Sequence, residues 1–260
     1  MGPNRKGIAF LSYFDAQTGK VVIASDDAPA RFQYFQDHFP GKIDFIQAGL
    51  QLQTRKVDTA PHWGGAELDS GLNEPRCTSG FAVRRGSEKT MLTAKHCYPL
   101  FDAVFGGSPS LLSFGNVEYL GSQTDTELIG GLTYAGDIYV GTLSGTGHPV
   151  TGASDPVSWN TYCVSGMVTA ESCGHTYTGV TGVVCMPAQY GGYCYTGLSM
   201  FTGGTVTKPG DSGAPWYFYD PRGHIYVAGV HTGSLTGTNI MVATPWSYIV
   251  LDLGVSIITG

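Results

Sequence analysis

From Cys77 to the C-terminus, short runs alternate apolar and polar residues and are broken by Gly, Asn, Asp and Pro. Such alternation marks strands with one buried face, and the breakers mark tight turns. Residues 81–84, 90–93, 117–120 and 138–140 form a first group of predicted strands. Residues 161–164, 178–184, 214–219, 225–230 and 240–244 form a second. Residues 246–253 carry apolar positions at helical spacing and predict a short terminal helix. Ahead of Cys77 the pattern differs. Residues 8–14 and 21–24 read as two strands joined by the turn Gln17-Thr-Gly-Lys20. Phe32, Phe35 and Phe39 fall near helical spacing and stop at Pro40-Gly41, so residues 28–39 read as a helix. Residues 42–52 read as a third strand. The polar, Gly-containing stretch 53–75 reads as a linker, within which Trp63-Gly-Gly is expected to dock on the body that follows.

Composition sharpens this picture. The 260 residues include 38 Gly and only 13% charged side chains, which suits an all-β protein with many turns. A 42% hydrophobic fraction is ample for a core, while no apolar run is long enough to span a membrane. A net charge of −6 argues against a nucleic-acid surface. Six cysteines without a CxxC spacing favour disulfides in an oxidising compartment over a zinc site, with fifteen pairings open. No metal or cofactor is expected: HExxH and GxxxxGK are both absent. Met1-Gly-Pro is followed by no apolar segment, so no signal peptide is read, and the natural N-terminus is expected to have been trimmed.

The candidate chemistry lies in two blocks, Thr93-Ala94-Lys95-His96-Cys97 and Gly210-Asp211-Ser212-Gly213. A serine hydroxyl is a poor nucleophile until a base takes its proton, and the base needs an acid to orient it. Glycines flanking Ser212 suit a tight turn that exposes the hydroxyl and nearby backbone N–H groups.

These blocks, the Cys77-Thr-Ser-Gly-Phe opening and the later Gly229-Val-His-Thr-Gly-Ser234 stretch resemble, in order, the chymotrypsin-fold serine proteases, closest to the secreted bacterial branch of streptogrisins and α-lytic protease. The resemblance covers about residue 58 to the end. It implies an all-β fold of two six-stranded antiparallel barrels with the site between them, preceded by a small α+β unit. The chain divides into 1–57, a pro-region-like unit that could inhibit, and 58–260, the protease domain. It implies that His96 is the general base, Ser212 the nucleophile, and the N–H groups of Gly210 and Ser212 the oxyanion hole. Asp125 is favoured as the acid, and Asp137 is the alternative. The resemblance implies the disulfides Cys77–Cys97 and Cys163–Cys173, which leaves Cys185 and Cys194 for each other. Bacterial relatives commonly place an arginine where this chain has Val164, so the partner of Asp211 stays open among an N-terminal amine, a hydrogen-bond network and a closed zymogen.

The primary pocket is expected between Val206, Thr207 and Pro209 on one wall and His231, Thr232, Gly233 and Ser234 on the other. Val206 stands where trypsin-like enzymes hold an aspartate, which disfavours Arg or Lys substrates. Thr207 and His231 match the pair used by glutamate-preferring relatives, so an acidic residue, Glu over Asp, is expected before the cleaved bond. An apolar pocket is the alternative. The expected partners are protein or peptide substrates and the chain's own N-terminal segment, and the expected location is extracellular. Glu67 and Glu74 are then candidate self-processing positions. The rival from another class is a protease-fold binding protein without catalysis, for which only Val164 speaks.

Overall fold

The computed structural model describes residues 10–25, 27, 29–47, 50–51, 56, 58–71, 76–107 and 112–260. The sequence expectations for residues 8–9, 28, 48–49, 52–55, 57 and 72–75, Glu74 among them, lie outside these. The fold is mostly β, as the alternation predicts.

Six strands close the second barrel as an antiparallel ring. Thr161–Gly166 pairs with Ala170–Cys185, which pairs with Cys194–Gly203, then Met241–Pro245, Ile225–Leu235, Pro215–Tyr219 and back to Thr161–Gly166. Each of the six strands thus has two ring neighbours. Its interior holds Tyr162, Phe201 and Trp216, with the last two rings stacked at 4.0 Å. The first barrel is a six-stranded antiparallel sheet in the order Ala103–Gly106, Leu112–Leu120, Glu127–Gly130, Glu88–Thr93, Ala82–Arg85, Val255–Ile257. Its last strand comes from the far end of the chain, after the helix Trp246–Leu253. The strand Tyr134–Tyr139, expected in the first barrel, instead joins the larger sheet by pairing with Gly147–Ala153 and, in parallel, with His62–Gly64.

The N-terminal segment forms the expected hairpin of β1 (Phe10–Asp15) and β2 (Lys20–Ser25), a turn of 3₁₀ helix and a short helix Gln33–His38, then β3 (Ile43–Gln47) and β4 (Leu50–Gln51). It is not free-standing. β1 lies antiparallel on the far end of Ala170–Cys185, so β3–β2–β1 extends the second barrel's sheet outward. Leu11 is fully buried with Val184, Tyr195, Leu198 and Met200. β4 leaves that sheet and pairs antiparallel with the end of Ile225–Leu235.

Asp58 ties the segment ahead of Cys77 to the strand Tyr134–Tyr139. Its buried carboxylate accepts hydrogen bonds from the backbone N–H of Trp63 at 3.1 Å and the Tyr139 hydroxyl at 2.6 Å, and is bonded to His62 Nδ1 at 2.9 Å. Trp63 packs on Tyr139 at 5.1 Å. Gly147 makes room for that indole: a Cβ there would fall 2.4 Å from the ring. Glu67, expected in a linker, is instead buried in a strand paired with Cys77–Thr78, so it offers no cleavage position. Burial, opposed by Arg76 at 3.4 Å, pushes its carboxyl up to about 7.

An acid raised in the folded state favours folding while it keeps its proton. The unfolded chain releases that proton from about pH 4.5, the folded chain only near pH 7. Stability should therefore fall across that window, by about 3 kcal/mol at most. Urea unfolding of wild type and Glu67→Gln at pH 5 and pH 8 tests this. The variant should lose much of the difference, and an unchanged difference would remove Glu67 as its source.

Candidate active site

The site lies where the two barrels meet. Glu127 pairs with Thr93, which carries residue 125, two positions earlier, to the loop that follows Thr93. There His96 Nδ1 lies 2.8 and 3.0 Å from the two Asp125 carboxylate oxygens, and the His96 backbone N–H donates to the same carboxylate at 3.2 Å. His96 Nε2 lies 2.9 Å from Ser212 Oγ. Asp125 and Ser212 are fully buried, and His96 nearly so. A carboxylate on Nδ1 fixes the tautomer that leaves Nε2 free to accept the serine proton. Asp137 lies elsewhere, in a strand opposite Pro149.

The disulfide Cys77–Cys97 ties the residue after His96 to the strand Cys77–Thr78. The same strand holds the serine loop: the Thr78 N–H donates to the Ser212 carbonyl at 2.7 Å, and its hydroxyl donates to the Gly210 carbonyl at 2.8 Å. One short strand thus references both halves of the site. Cys163–Cys173 and Cys185–Cys194 bridge neighbouring strands of the second barrel, and no cysteine is free.

Residues 210–213 form the tight turn that the glycines predict. Gly210 and Gly213 have φ of +97° and +88°, which side chains rarely adopt, and a Cβ on Gly213 would lie 2.2 Å from the Thr78 carbonyl. The N–H of Gly213 donates to the His231 carbonyl, and that of Asp211 to the Lys208 carbonyl. The N–H groups of Gly210 and Ser212 find no acceptor among the described residues. They are therefore available to a developing oxyanion.

Among the described residues, Asp211 finds backbone partners. Its fully buried carboxylate accepts the N–H groups of Val168 at 2.9 Å, Thr169 at 3.3 Å and Lys208 at 3.4 Å. Gly166 leaves the space, since a Cβ there would fall 1.9 Å from that carboxyl group. These bonds supply a hydrogen-bond network, one of the alternatives left open by Val164.

The two predicted walls of the primary pocket meet where the Ser234 hydroxyl faces the Thr207 carbonyl at 3.5 Å. Thr207, Thr232 and Ser234 are buried, His231 fully so, while Val206 is half-buried and Pro209 exposed. Gly233 lies opposite Val242. The Trp216 indole N–H donates to His231 Nδ1 at 3.2 Å, and His175 stacks edge-on against Trp216 at 5.0 Å. Burial, reinforced by His96 and His175, holds His231 down at about 3; the Val242 carbonyl opposes this as the smallest influence. His231 is therefore neutral at working pH.

Two features escaped the sequence reading. Glu127 lies fully buried two residues beyond Asp125, and burial together with the Asp125 charge pushes its carboxyl well above the usual carboxylate range. Strand alternation places residues 125 and 127 on one face, a signal that was there to read. The second is a cavity of about 450 Å³ beside His96, walled by Leu120, Tyr190, Tyr193, Tyr195 and the stem of Lys95. The Lys95 ammonium lies 4.4 Å over the Tyr193 ring.

No family model matches the chain. Solved structures do. Thermobifida fusca protease A is 26% identical with a TM-score of 0.61, over 76% of this chain and 98% of that one. A Nocardiopsis protease is 21% identical with a TM-score of 0.59, over 76% and 98%. A glutamic acid specific serine protease, described as using a histidine triad in substrate binding, is 22% identical with a TM-score of 0.61, over 75% and 99%. The fold is that of the bacterial chymotrypsin-like serine proteases. No helix among the described residues is long and apolar enough to cross a membrane.

Proposed function

We propose that the protein is a secreted endopeptidase that hydrolyses peptide bonds through Ser212, His96 and Asp125. The distance of 2.9 Å between His96 Nε2 and Ser212 Oγ carries this reading. Ser212 Oγ attacks the substrate carbonyl carbon as its proton passes to His96 Nε2. The carbonyl oxygen, now an anion, is met by the N–H groups of Gly210 and Ser212. His96 then gives the proton to the departing amine, and water repeats the sequence to release the acyl group. Asp125 holds the imidazole and stabilises its charged form. Three disulfides suit an oxidising, extracellular setting.

Residues 10–51 act as an inhibitory partner in this proposal. β4 adds to the strand end at Ser234–Leu235, the edge a peptide substrate would use. For the residue just before the cleaved bond, the histidine and hydroxyls of the pocket favour a side chain that ends in an oxygen acceptor. Glutamate, the residue expected from sequence and the one the glutamic acid specific neighbour recognises, belongs to this class.

A fluorophosphonate tests the chemistry. One adduct per chain, absent from Ser212→Ala, is expected once residues 1–57 are removed, and slower labelling while they are attached. A chain that stays unlabelled after their removal would favour a binding protein without catalysis.

A further inference from the structure

Lys95 stands beside His96 in the chain and takes no part in the proton transfers described above. Its side chain helps to line the cavity next to that histidine. The ammonium donates to the Gly121 carbonyl at 2.5 Å, lies 4.4 Å over the Tyr193 ring and is 5.8 Å from the centre of the Tyr195 ring. An ammonium has three N–H donors, so one carbonyl does not exhaust it. Ring faces attract a cation without cancelling its charge. Among the described residues, no carboxylate lies within ion-pair distance of Lys95. Burial accordingly holds the ammonium below the usual lysine range, opposed by the charges of Asp125, Asp252 and Glu127.

Those acids are engaged elsewhere. Asp125 holds His96. Asp252 receives the N–H groups of Ser122, Gln123 and Thr124. Glu127 is fully buried and does not line the cavity. Asp102 does line it, without pairing with Lys95.

Strand geometry brings one particular substrate side chain to this cation. A peptide added along the end of Ile225–Leu235 turns successive side chains to opposite faces. The residue just before the cleaved bond enters the primary pocket, where Ser234 faces Thr207. The residue ahead of it faces the other way. The cavity shares no lining residue with the primary pocket, and it is lined by His96, which meets Ser212 Oγ at 2.9 Å. It therefore flanks the cleaved bond on the face that the second side chain takes. Its volume of about 450 Å³ has room for a long side chain, whose methylenes would lie against Leu120, Tyr190 and Tyr195.

We propose that Lys95 makes this cavity select an acidic side chain, glutamate above all, at the second residue before the cleaved bond. This rests on the endopeptidase reading above. The substrate carboxylate meets the ammonium among the tyrosine rings and supplies the counter-charge that the described residues do not. Leucine would cover the apolar walls and leave the ammonium unpaired. Lysine would bring a second cation beside the first, which is costly in a half-buried site.

The full chain is folded whole for the test, and residues 1–57 are then cut away so that β4 no longer occupies the strand end at Ser234. Two series of p-nitroanilide peptides, one ending in glutamate and one in phenylalanine, carry Glu, Gln, Leu or Lys at the preceding position. Ratios are compared within each series, so the primary pocket's own preference cancels. At pH 8, kcat/KM should be higher for Glu than for Gln by about tenfold or more, and lowest for Lys. Lys95→Gln should bring the ratio of Glu to Gln to within about twofold, whereas Lys95→Arg, which keeps the charge, should retain most of it. A merely structural lysine would lower all four peptides alike in both variants. Fluorophosphonate uptake shows which variants have folded. Gln or Leu equal to or above Glu in the wild type overturns the proposal whether or not any variant folds. A glutamate preference that survives Lys95→Gln overturns Lys95 as its source. If enzyme freed of residues 1–57 neither takes up a fluorophosphonate nor cuts any peptide, the endopeptidase reading itself has failed.

Discussion

Ser212→Ala should lower kcat by about 10⁶ while leaving the fold and substrate binding nearly unchanged. The expectation follows from how the hydroxyl is held. Ser212 makes two kinds of contact: its carbonyl anchors the backbone through Thr78, and its Oγ meets His96 Nε2. Only the second is lost on truncation. The turn is set by Gly210 and Gly213, so an alanine between them costs the loop little. The remaining rate comes from the N–H groups that still receive the oxyanion. Active-site titration with a fluorophosphonate, together with kcat and KM on one peptide, measures this. A variant within tenfold of wild type would remove Ser212 from the reaction.

Asp125→Asn should be the next largest loss, about 10⁴ in kcat. The carboxylate lies within 3.0 Å of His96 Nδ1 through both oxygens, and His96 is buried, so no water can replace it readily. An asparagine can turn its NH₂ toward Nδ1, which forces the ring proton to Nε2. That tautomer would donate to Ser212 instead of accepting from it. The loss should shrink at high pH, where hydroxide supplies the missing base, whereas a merely structural defect would worsen. Asp137→Asn is the control. Asp137 lies opposite Pro149 in a different strand pair, and the kcat of this variant should stay within about twofold of wild type. A dead Asp137→Asn beside an active Asp125→Asn would reverse the roles.

Much of the candidate site was readable because it is local in sequence. His96 and Ser212 each sit in a short block whose neighbours serve the same geometry: Cys97 pins one loop, and Gly210 and Gly213 shape the other. The acid was harder. Asp125 and Asp137 both begin plausible strands, and only the pairing of Glu127 with Thr93 decides which reaches His96. Pairing between distant strands leaves little trace in either strand alone. The same reason hid the docking of the N-terminal hairpin, whose composition suggests an independent unit although Leu11 completes a core built by residues 184–200. The partners of Asp211 were invisible for another reason. Backbone N–H groups are present at nearly every position, so three of them converging on one carboxylate require no particular side chain. Gly166, which makes the space, was one glycine among 38.

The strand Val255–Ile257 completes the first barrel although it follows the second in sequence. Ile258 and Gly260 continue the tie, donating to the carbonyls of Ala82 and Val150. During synthesis, the barrel that carries His96 must wait with one side unfinished until the barrel that carries Ser212 has been translated. The two barrels thus finish together. A polypeptide interrupted before Val255 lacks this clasp, and its His96 then sits on an unfinished barrel.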